Sequence, residues 1–351
     1  MAPNTSPEMH VEENFCGGKE EFSTITTDDE NDIQTRDETR KKFEELFKFK
    51  TEVKWLNVIS ITLLHMIMLY ACFTVEWYKD LRTNIWMFIV SVIGAIGVTA
   101  GAHRFWTHRA YKAKWPLRII LLIFYATAGQ NNLYDWIRDH RVHHKYTDTN
   151  ADPHNSNRGF FFSHVGWLML KKHPDVIRKG RQISMRDIMA DPVVVFGCKY
   201  FSIIKFIFAF LLPIMVPVYG WNETWSRACK SQIIRYVLSL NGTWSVNSVA
   251  HIWGSKPYDA SINPTENKYV ALIALGEGWH NYHHVFPWDY KAAELNNYIF
   301  NFTTMFIDFF AKIGWAYDLK QPSEELVKNV VMKKGNRNLR QSVSHPDSKI
   351  D

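Results

Sequence analysis

The sequence predicts an all-α integral membrane fold in which four transmembrane helices form two hairpins. Long apolar runs, an aromatic content of 15% and charged segments at both ends of the 351 residues support this prediction. Runs of roughly 20 apolar residues have the length that a bilayer requires. Core helices of a large soluble protein are the alternative, but four such runs in two closely spaced pairs favour the membrane.

The chain divides into a membrane domain between two polar tails. Residues 1–53 include the stretch TTDDENDIQTRDETRKK, which is too charged to bury an apolar face, and we predict a disordered cytosolic tail that ends in a short amphipathic helix. Residues 54–320 contain the long apolar runs and form the predicted membrane domain. Residues 321–351 are polar and basic, and we predict a poorly ordered cytosolic tail.

Four apolar segments of the membrane domain have the length of a span. The run LRIILLIFYATAG at 117–129 is shorter, so we predict an interfacial or re-entrant helix there. The sequence GAIGVTAG at 94–101 lacks the spacing of a dinucleotide-binding loop and predicts close helix packing instead. We place the four spans at about residues 56–75, 85–101, 193–219 and 231–252.

Basic residues lie on one side of both hairpins, and the positive-inside rule therefore places both termini and the central region in the cytosol. The first thirty residues contain no apolar signal segment, so insertion is expected to begin at an internal helix. The net charge of +6 is spread around the apolar runs, which favours membrane lipid or an anionic substrate over a nucleic acid. The basic residues in question are Lys41, Lys42, Lys48, Arg104, Arg109, Lys112, Arg178, Lys179 and Arg181.

Nine of the fifteen histidines fall into four compact clusters at the cytosolic ends of the predicted spans. In HRVHH, His140, His143 and His144 have the spacing i, i+3, i+4, which places three imidazoles on one face of a helix. The same pattern recurs about 140 residues later in HNYHH. Two facing triplets would supply six neutral nitrogen ligands, enough for two metal ions and too many for one. The second triplet consists of His280, His283 and His284.

Two further clusters add candidate ligands. HRFWTH contains His103 and His108, whose separation of five spreads them over different faces of a regular α-helix, so we expect them to reach different metal ions. In NSVAH, His251 ends the last predicted span, and Asn247 precedes it by one turn on the same face. We predict that His251 is a ninth ligand and that Asn247 holds a metal-bound water.

The ligand types favour iron. The histidine clusters contain no thiolates and no HExxH motif, which argues against structural zinc and against a zinc protease. The Glu-x-x-His motifs of soluble di-iron proteins are also missing. An all-imidazole pair of sites suits two iron ions, with zinc as a substitute in an overexpressed sample.

The segments around the histidines resemble those of one family. GAHRFWTHRAYKA, DWIRDHRVHHKYTDTNADPHN, RGFFFSHVGWLMLKKHP, NSVAHIWGSKPYD and GEGWHNYHHVFPWDY are similar to segments of the membrane fatty acyl-CoA desaturases, the stearoyl-CoA desaturase family, and the similarity covers residues 55–320. The insect members, particularly those of moths, are the most similar, and some of these make sex-pheromone precursors. Departures at Trp279, at Val249 and in GQNNLYDW remove no ligand but put the family's usual double-bond position, the ninth carbon, in doubt.

The resemblance implies an enzyme that inserts a double bond into a saturated or monounsaturated fatty acyl-CoA, with O2 as co-substrate and a di-iron centre in a cytosolic helical cap. It assigns the iron ligands to the nine clustered histidines, with Asn247 acting through water. It also implies electrons from cytochrome b5 and its NADH-dependent reductase, in agreement with a sequence that shows no dinucleotide fingerprint and no haem-binding domain. The implied location is the endoplasmic reticulum membrane, in a multi-pass arrangement.

The substrate must be positioned, because unactivated methylenes offer no polar handle to an enzyme. Arg138, Lys171 and Lys172 lie near the histidine clusters and, with Asn131, are predicted to bind the phosphates of coenzyme A, as the matching positions of the family do. Contact with lipid head groups is the alternative for these cations. Trp136 lies one turn before the second histidine cluster and is predicted to line an acyl tunnel.

Three other functions stay open on the sequence. An acyl hydroxylase can use the same scaffold, because one oxidant can abstract hydrogen and then return oxygen. A histidine-rich membrane metal transporter should place its ligands near the bilayer midplane, whereas these histidines lie beside cytosolic Arg and Lys residues. A structural metal-binding protein could keep every ligand, and only an assay separates it from an enzyme.

Overall fold

The computed structural model describes residues 51–294 and 298–336, and these residues are mostly helical. The short amphipathic helix predicted before residue 51 lies outside the described residues. Between the helices run loops and one small antiparallel pair of strands, β1 (Lys112–Ala113) and β2 (Ala316–Tyr317).

The first hairpin consists of α1 (Trp55–Thr74) and α2 (Leu81–Thr107), and both helices are long and apolar enough to cross a membrane. The last part of α2, Gly97–Thr107, is wound as a π-helix, in which backbone hydrogen bonds join residues five apart instead of four. The first two predicted spans therefore coincide with helices. The second helix extends six residues past its predicted end and so carries the first histidine cluster.

Helix α3 (Trp115–Ala128) packs along α2 and has 14 residues. At a rise of about 1.5 Å per residue it is too short to cross a bilayer, as the sequence predicts. The close packing predicted for GAIGVTAG is also confirmed, because a Cβ atom added to Gly97 would lie 2.0 Å from the backbone nitrogen of Tyr125 on α3. Only a glycine permits this approach of the two backbones.

Helix α4 (Leu133–Lys145) carries the second histidine cluster and packs against the π-helical part of α2. The Asn132 side chain caps it by accepting a hydrogen bond from the backbone N–H of Tyr134. Short elements then cover the central region of the chain. They are the turns Ser156–Arg158 and Phe162–Gly166, the single-turn segments Trp167–Met169 and Arg186–Met189, and the helices α5 (Pro174–Gly180) and α6 (Pro192–Lys199).

The second hairpin consists of α7 (Phe201–Trp221) and α8 (Trp225–Ile252). The predicted span at 193–219 begins too early, because α6 ends before Tyr200 and only α7 is long and apolar enough to cross a membrane. Helix α8 has 28 residues but is too polar to meet the same criterion. Among the described residues there are thus three candidate spans, and α8 packs against all of them.

Several polar side chains of α8 are buried against other parts of the protein. Arg227, Gln232, Arg235 and Ser248 are all buried. The guanidinium of Arg235 donates hydrogen bonds to Gln232 and to the backbone carbonyl oxygen of Ala209. A central helix that satisfies its polar groups internally can lie among membrane helices without an apolar surface of its own.

The last part of the described chain consists of short helices around the fourth histidine cluster, HNYHH. These are α9 (Lys268–Ile273), α10 (His280–Val285), the turn Tyr298–Phe300, α11 (Phe302–Lys312) and α12 (Glu324–Lys334).

Helix α12 corrects the prediction of poor order for residues 324–334, and the chain after residue 336 lies outside the described residues. Val327 and Val331, one turn apart, are buried against Tyr258 and Phe286. The Ser323 side chain caps the helix. The sequence did not predict this helix because its apolar residues lie among charged ones and form only a narrow apolar stripe.

Replacing Gly97 by alanine is expected to destabilise the protein, because the new methyl group would meet the backbone of α3 and force the two helices apart. We expect a thermal midpoint several degrees lower, or loss of folded protein, in fluorescence-detected size-exclusion chromatography. Gly220→Ala is the matched control, since nothing lies within 4 Å of its added Cβ and alanine favours the helix. Equal midpoints for both variants would contradict the packing described for α2 and α3.

Candidate metal centre and substrate cavity

The structure brings all nine clustered histidines together in two sets. In each set one nitrogen of every imidazole lies within 4.8 Å of those of the others. The five-histidine set consists of His103, His108, His140, His144 and His283. The four-histidine set consists of His143, His251, His280 and His284.

Each HxxHH triplet contributes to both sets. On α4, His140 and His144 are one turn apart and share the five-histidine set, whereas His143 belongs to the four-histidine set. On α10 the assignment is reversed, because the two residues one turn apart belong to the four-histidine set and His283 belongs to the other. In each triplet, the two histidines four residues apart belong to one set. The middle histidine of the triplet belongs to the other set.

His103 and His108 lie in one set, which corrects the expectation that they reach different metal ions. The reason is the π-helix, in which a residue and its fifth neighbour are joined by a hydrogen bond; the backbone N–H of His108 donates to the carbonyl oxygen of His103 at 3.1 Å. Their rings meet edge to face with centroids 4.8 Å apart. Two residues five positions apart point in different directions on an α-helix, but they lie on the same side of this π-helix.

Within each set the Nε2 atoms approach one another closely. Two neutral imidazole nitrogens that face each other repel unless a proton or a cation lies between them. Two ligands at right angles on one ion, each at a bond length of about 2.1 Å, are about 3.0 Å apart. The Nε2 separations are 2.9 Å for His103 and His283, 3.1 Å for His283 and His144, 3.3 Å for His143 and His284, 3.1 Å for His284 and His280, and 3.1 Å for His280 and His251.

Two buried nitrogens add to this fit. The Nε2 atoms of His108 and His140 have no hydrogen-bond partner among the described residues. A buried polar atom without a partner costs free energy, which binding to a cation would remove. The donor set is entirely imidazole, which suits zinc, copper, iron and nickel ions. The residues present thus fit two metal ions.

Burial keeps six of the clustered histidines neutral. It is the main cause, followed by the neighbouring imidazoles, that lowers the pKa of six of these histidines well below the ordinary value. A neutral imidazole retains the lone pair that binds a metal, whereas imidazolium does not. The six are His108, His140, His144, His280, His283 and His284.

Three carboxylates orient ligand rings from outside, and the sequence analysis did not single them out. Asp152 and Asp148 each accept a hydrogen bond from an Nδ1 atom, which fixes the tautomer and leaves Nε2 for a metal, and Glu277 forms a close ion-pair contact with a third Nδ1 atom. A signal was available, since each is an acidic residue within eight positions of a histidine cluster. The pairs are His143 with Asp152 at 2.9 Å, His251 with Asp148 at 3.1 Å, and His103 with Glu277 at 2.9 Å.

The orienting carboxylates are themselves held. Arg104 is buried and lies 2.9 Å from Glu277, so it is a structural cation and not the surface charge that the topology argument assumed. Burial alone would raise the pKa of Glu277, but Arg104 and His103 lower it below its ordinary value. Burial would likewise raise the pKa of Asp148, but hydrogen bonds from His251 and Ser156 lower it to about 2. Both carboxylates therefore stay ionised beside the ligands.

A cavity of about 660 Å³ opens onto both histidine sets. Its wall is mainly apolar and comes from α2, α8 and the segment after α9, and it includes His103, His140 and His280. Trp136 and Asn247, which the sequence analysis selected, also line it. Its size and apolar lining are typical of a cavity that binds a small ligand.

Polar contacts fix one wall of the cavity. Trp136 stacks on His140 with ring centroids 4.9 Å apart, and its Nε1 donates to Gln130 at 3.0 Å. Gln130 in turn donates to the hydroxyl of Thr243 on α8 at 3.0 Å. The side chain next to a candidate ligand is therefore connected to the opposite helix. Gln130 and Thr243 escaped the sequence analysis because neither belongs to a motif with a recognised spacing.

The four predicted head-group residues lie outside the cavity wall. Arg138 pairs with Asp135 at 2.8 Å and lies 3.6 Å from Asp139, and Lys172 pairs with Asp139 at 2.6 Å. Lys171 is mostly exposed and pairs with a glutamate 2.8 Å away. Asn131 is exposed at the start of α4. Their role in binding coenzyme A stays a prediction.

Comparisons with known proteins place these features in a family. The family model described as "Fatty acid desaturase" matches residues 83–296. An acyl-CoA Delta-9 desaturase of Acheta domesticus is 55% identical over 82% of this chain and 80% of its own length. An acyl-CoA Delta(11) desaturase of Spodoptera littoralis is 52% identical over 80% and 83%, and an acyl-CoA Delta12-desaturase of Acheta domesticus is 50% identical over 84% and 82%.

Asp152→Asn is expected to weaken metal binding at the four-histidine set by about 10- to 100-fold, because the amide orients His143 without the negative charge that strengthens its ligand nitrogen. The measurement is retention of bound metal during titration with a chelator. Asp175→Asn is the control, since that carboxylate is at the surface and pairs with Arg178. Equal retention by wild type and Asp152→Asn would contradict the orienting role.

Proposed function

The chain belongs to the fatty acid desaturase family, and we propose that it is an O2-dependent acyl-CoA desaturase with two iron ions held by the nine clustered histidines. The observation that carries the proposal is the apolar cavity that opens onto both sets. A ligand without polar groups fits such a wall, and the only reactive groups along it would be those at the histidines.

The two sets would hold one iron ion each, with Asn247 reaching the four-histidine set through a water molecule. When bound, the iron pair supplies, with dioxygen, the oxidant that removes hydrogen from two adjacent unactivated methylenes. The residues around it provide the environment. Six of the buried imidazoles stay neutral, and Asp148, Asp152 and Glu277 would hold three of the rings in their binding orientation.

Positioning of the substrate would be shared between the cavity and the cations outside it. The apolar wall excludes water from the acyl chain, and Trp136 fixes that wall beside His140. Arg138 would exchange the Asp135 carboxylate, and Lys172 the Asp139 carboxylate, for phosphate oxygens of coenzyme A. An anchored head group determines which methylenes lie beside the histidines.

The position of the double bond would be set by the shape of the cavity. The three relatives compared above are named for positions 9, 11 and 12, although each is 50% or more identical to this chain. The histidine sets therefore do not determine the position. Residues of α2 and α8 that line the cavity are the ones that would.

We propose the membrane topology from the packing of α8. This helix contacts α1, α2 and α7, so it would form a fourth span at the centre of the two hairpins, with both termini in the cytosol. The proposed location is the endoplasmic reticulum membrane. Cytochrome b5, reduced by its NADH-dependent reductase, is the proposed electron donor, and no nucleic acid takes part.

Expression in a desaturase-deficient yeast fed with saturated acyl chains tests the activity. We expect an unsaturated product, located by mass spectrometry, that disappears in His144→Ala because the five-histidine set loses a ligand. His173→Asn is the control, since this histidine lies outside both sets and asparagine can replace it as the cap of α5. A hydroxylated product, or none despite bound iron and a working donor, would contradict the desaturase proposal.

Removing the head-group cations is expected to raise KM for acyl-CoA about tenfold with little change in kcat, because one charge-assisted hydrogen bond contributes about 1.5–3 kcal/mol. The variants are Arg138→Gln and Lys172→Gln, assayed with purified enzyme and reduced cytochrome b5. Lys328→Gln, at the exposed face of α12, is the control. An unchanged KM would assign these cations to lipid head groups instead.

A further inference from the structure

One histidine outside both sets joins two points of α8. His164 lies in the turn Phe162–Gly166, and its Nδ1 is 2.9 Å from the hydroxyl of Ser248, while its Nε2 is 3.1 Å from the side-chain oxygen of Asn241. Ser248 and Asn241 are seven residues apart, which is two turns of the helix and one face. A single ring therefore spans two turns of α8.

The directions of these hydrogen bonds follow from their neighbours. The amide nitrogen of Asn241 donates to the Val237 carbonyl oxygen at 2.8 Å, so its oxygen accepts from Nε2 of His164. Burial lowers the pKa of His164, which favours the neutral ring. The hydroxyl of Ser248 donates to the Trp244 carbonyl oxygen at 3.0 Å, and its oxygen lies 2.9 Å from Nδ1 of His164. Both ring nitrogens thus lie within hydrogen-bond distance of side chains of α8.

The rotation of α8 decides where two site residues lie. Asn247 directly precedes Ser248, and His251 follows it by three residues. At about 100° per residue, Asn247 and His251 lie about 40° apart around the helix axis. A rotation of about 10° would move an imidazole nitrogen at about 6 Å from the axis by about 1 Å. A metal ligand must be held more closely than that, to about 0.5 Å.

The same loop that holds the His251 ring also carries His164. The Nδ1 of His251 lies 3.1 Å from Asp148, and Asp148 accepts hydrogen bonds from the backbone and the hydroxyl of Ser156 at 2.8 Å and 2.6 Å. From Ser156 the chain continues to His164, which returns to α8 at Ser248. Asp148 thus orients the ring of His251, and His164 contacts α8, the helix that carries His251.

We propose that His164 is a positioning residue of the four-histidine set, which aims His251 and Asn247 by fixing the rotation and height of α8. This inference rests on the proposed function, because it requires the four-histidine set to bind iron. An apolar ring of similar shape would fill the same space but would leave α8 free to turn. The polar atoms of His164 are therefore what its role requires.

The test uses the full-length protein, purified from cells supplied with iron. Iron per polypeptide is measured by mass spectrometry, and kcat and KM are measured with acyl-CoA and reduced cytochrome b5. For His164→Phe we expect iron to fall from about two ions to about one and kcat to fall about tenfold or more, with KM within about twofold. His164→Gln should regain the second ion, since its amide can form hydrogen bonds with both Asn241 and Ser248.

Two further variants separate positioning from folding. Ser248→Ala removes one hydroxyl and should cause a smaller loss in the same direction, even if His164→Phe yields no folded protein. His65→Phe is the matched control: His65 accepts from Asn241 at 3.2 Å but does not contact Ser248, and we expect two iron ions to remain.

Unchanged iron content and kcat in folded His164→Phe would overturn the inference. So would loss of both ions together without rescue by His164→Gln, or normal iron in Ser248→Ala when His164→Phe fails to fold. A wild-type protein that binds no iron would instead overturn the proposed function, which keeps the two failures distinct.

Discussion

The mutual repulsion of nine converging imidazoles is the constraint on which the rest of the structure depends. Facing Nε2 atoms lie 2.9 to 3.3 Å apart in a buried region, where lone pairs repel unless cations separate them. Two metal ions would turn this repulsion into bonding. Before they bind, the surrounding packing must hold the rings in place. The close contact of α2 with α3 at Gly97 and the buried Arg104 beside Glu277 are parts of that packing.

The same constraint accounts for the unusual composition of α8. A helix among membrane spans is normally apolar, yet this one carries polar residues along its length. In the structure these side chains bond to neighbouring helices and loops, and Asn241 and Ser248 bond to one histidine ring. The helix thereby loses apolar surface and gains a defined rotation, which a helix that carries a metal ligand requires. The histidines line only part of the cavity, and most of its remaining wall is apolar.

Several features of the fold and of the site could be predicted because they depend on local spacing. The spacing of His140, His143 and His144 predicts a helix, and the structure confirms it because all three residues lie on α4. The limits of α1 were also close to prediction, since the length of an apolar run determines a span. The break at Tyr200 and the docking of α12 were missed, because both depend on contacts with distant parts of the chain.

The sequence by itself predicted that nine histidines in four clusters would meet, because residue type and helical period are local properties. Only the tertiary structure decided how they divide. His103 and His108 share a set because α2 ends as a π-helix, and its winding depends on packing against α3 and α4, which leaves no local signature. The carboxylates that orient the rings are likewise ordinary acidic residues until the fold places them. Their closeness in sequence to the histidine clusters makes them candidates. Only the three-dimensional contacts show which carboxylate lies beside which histidine.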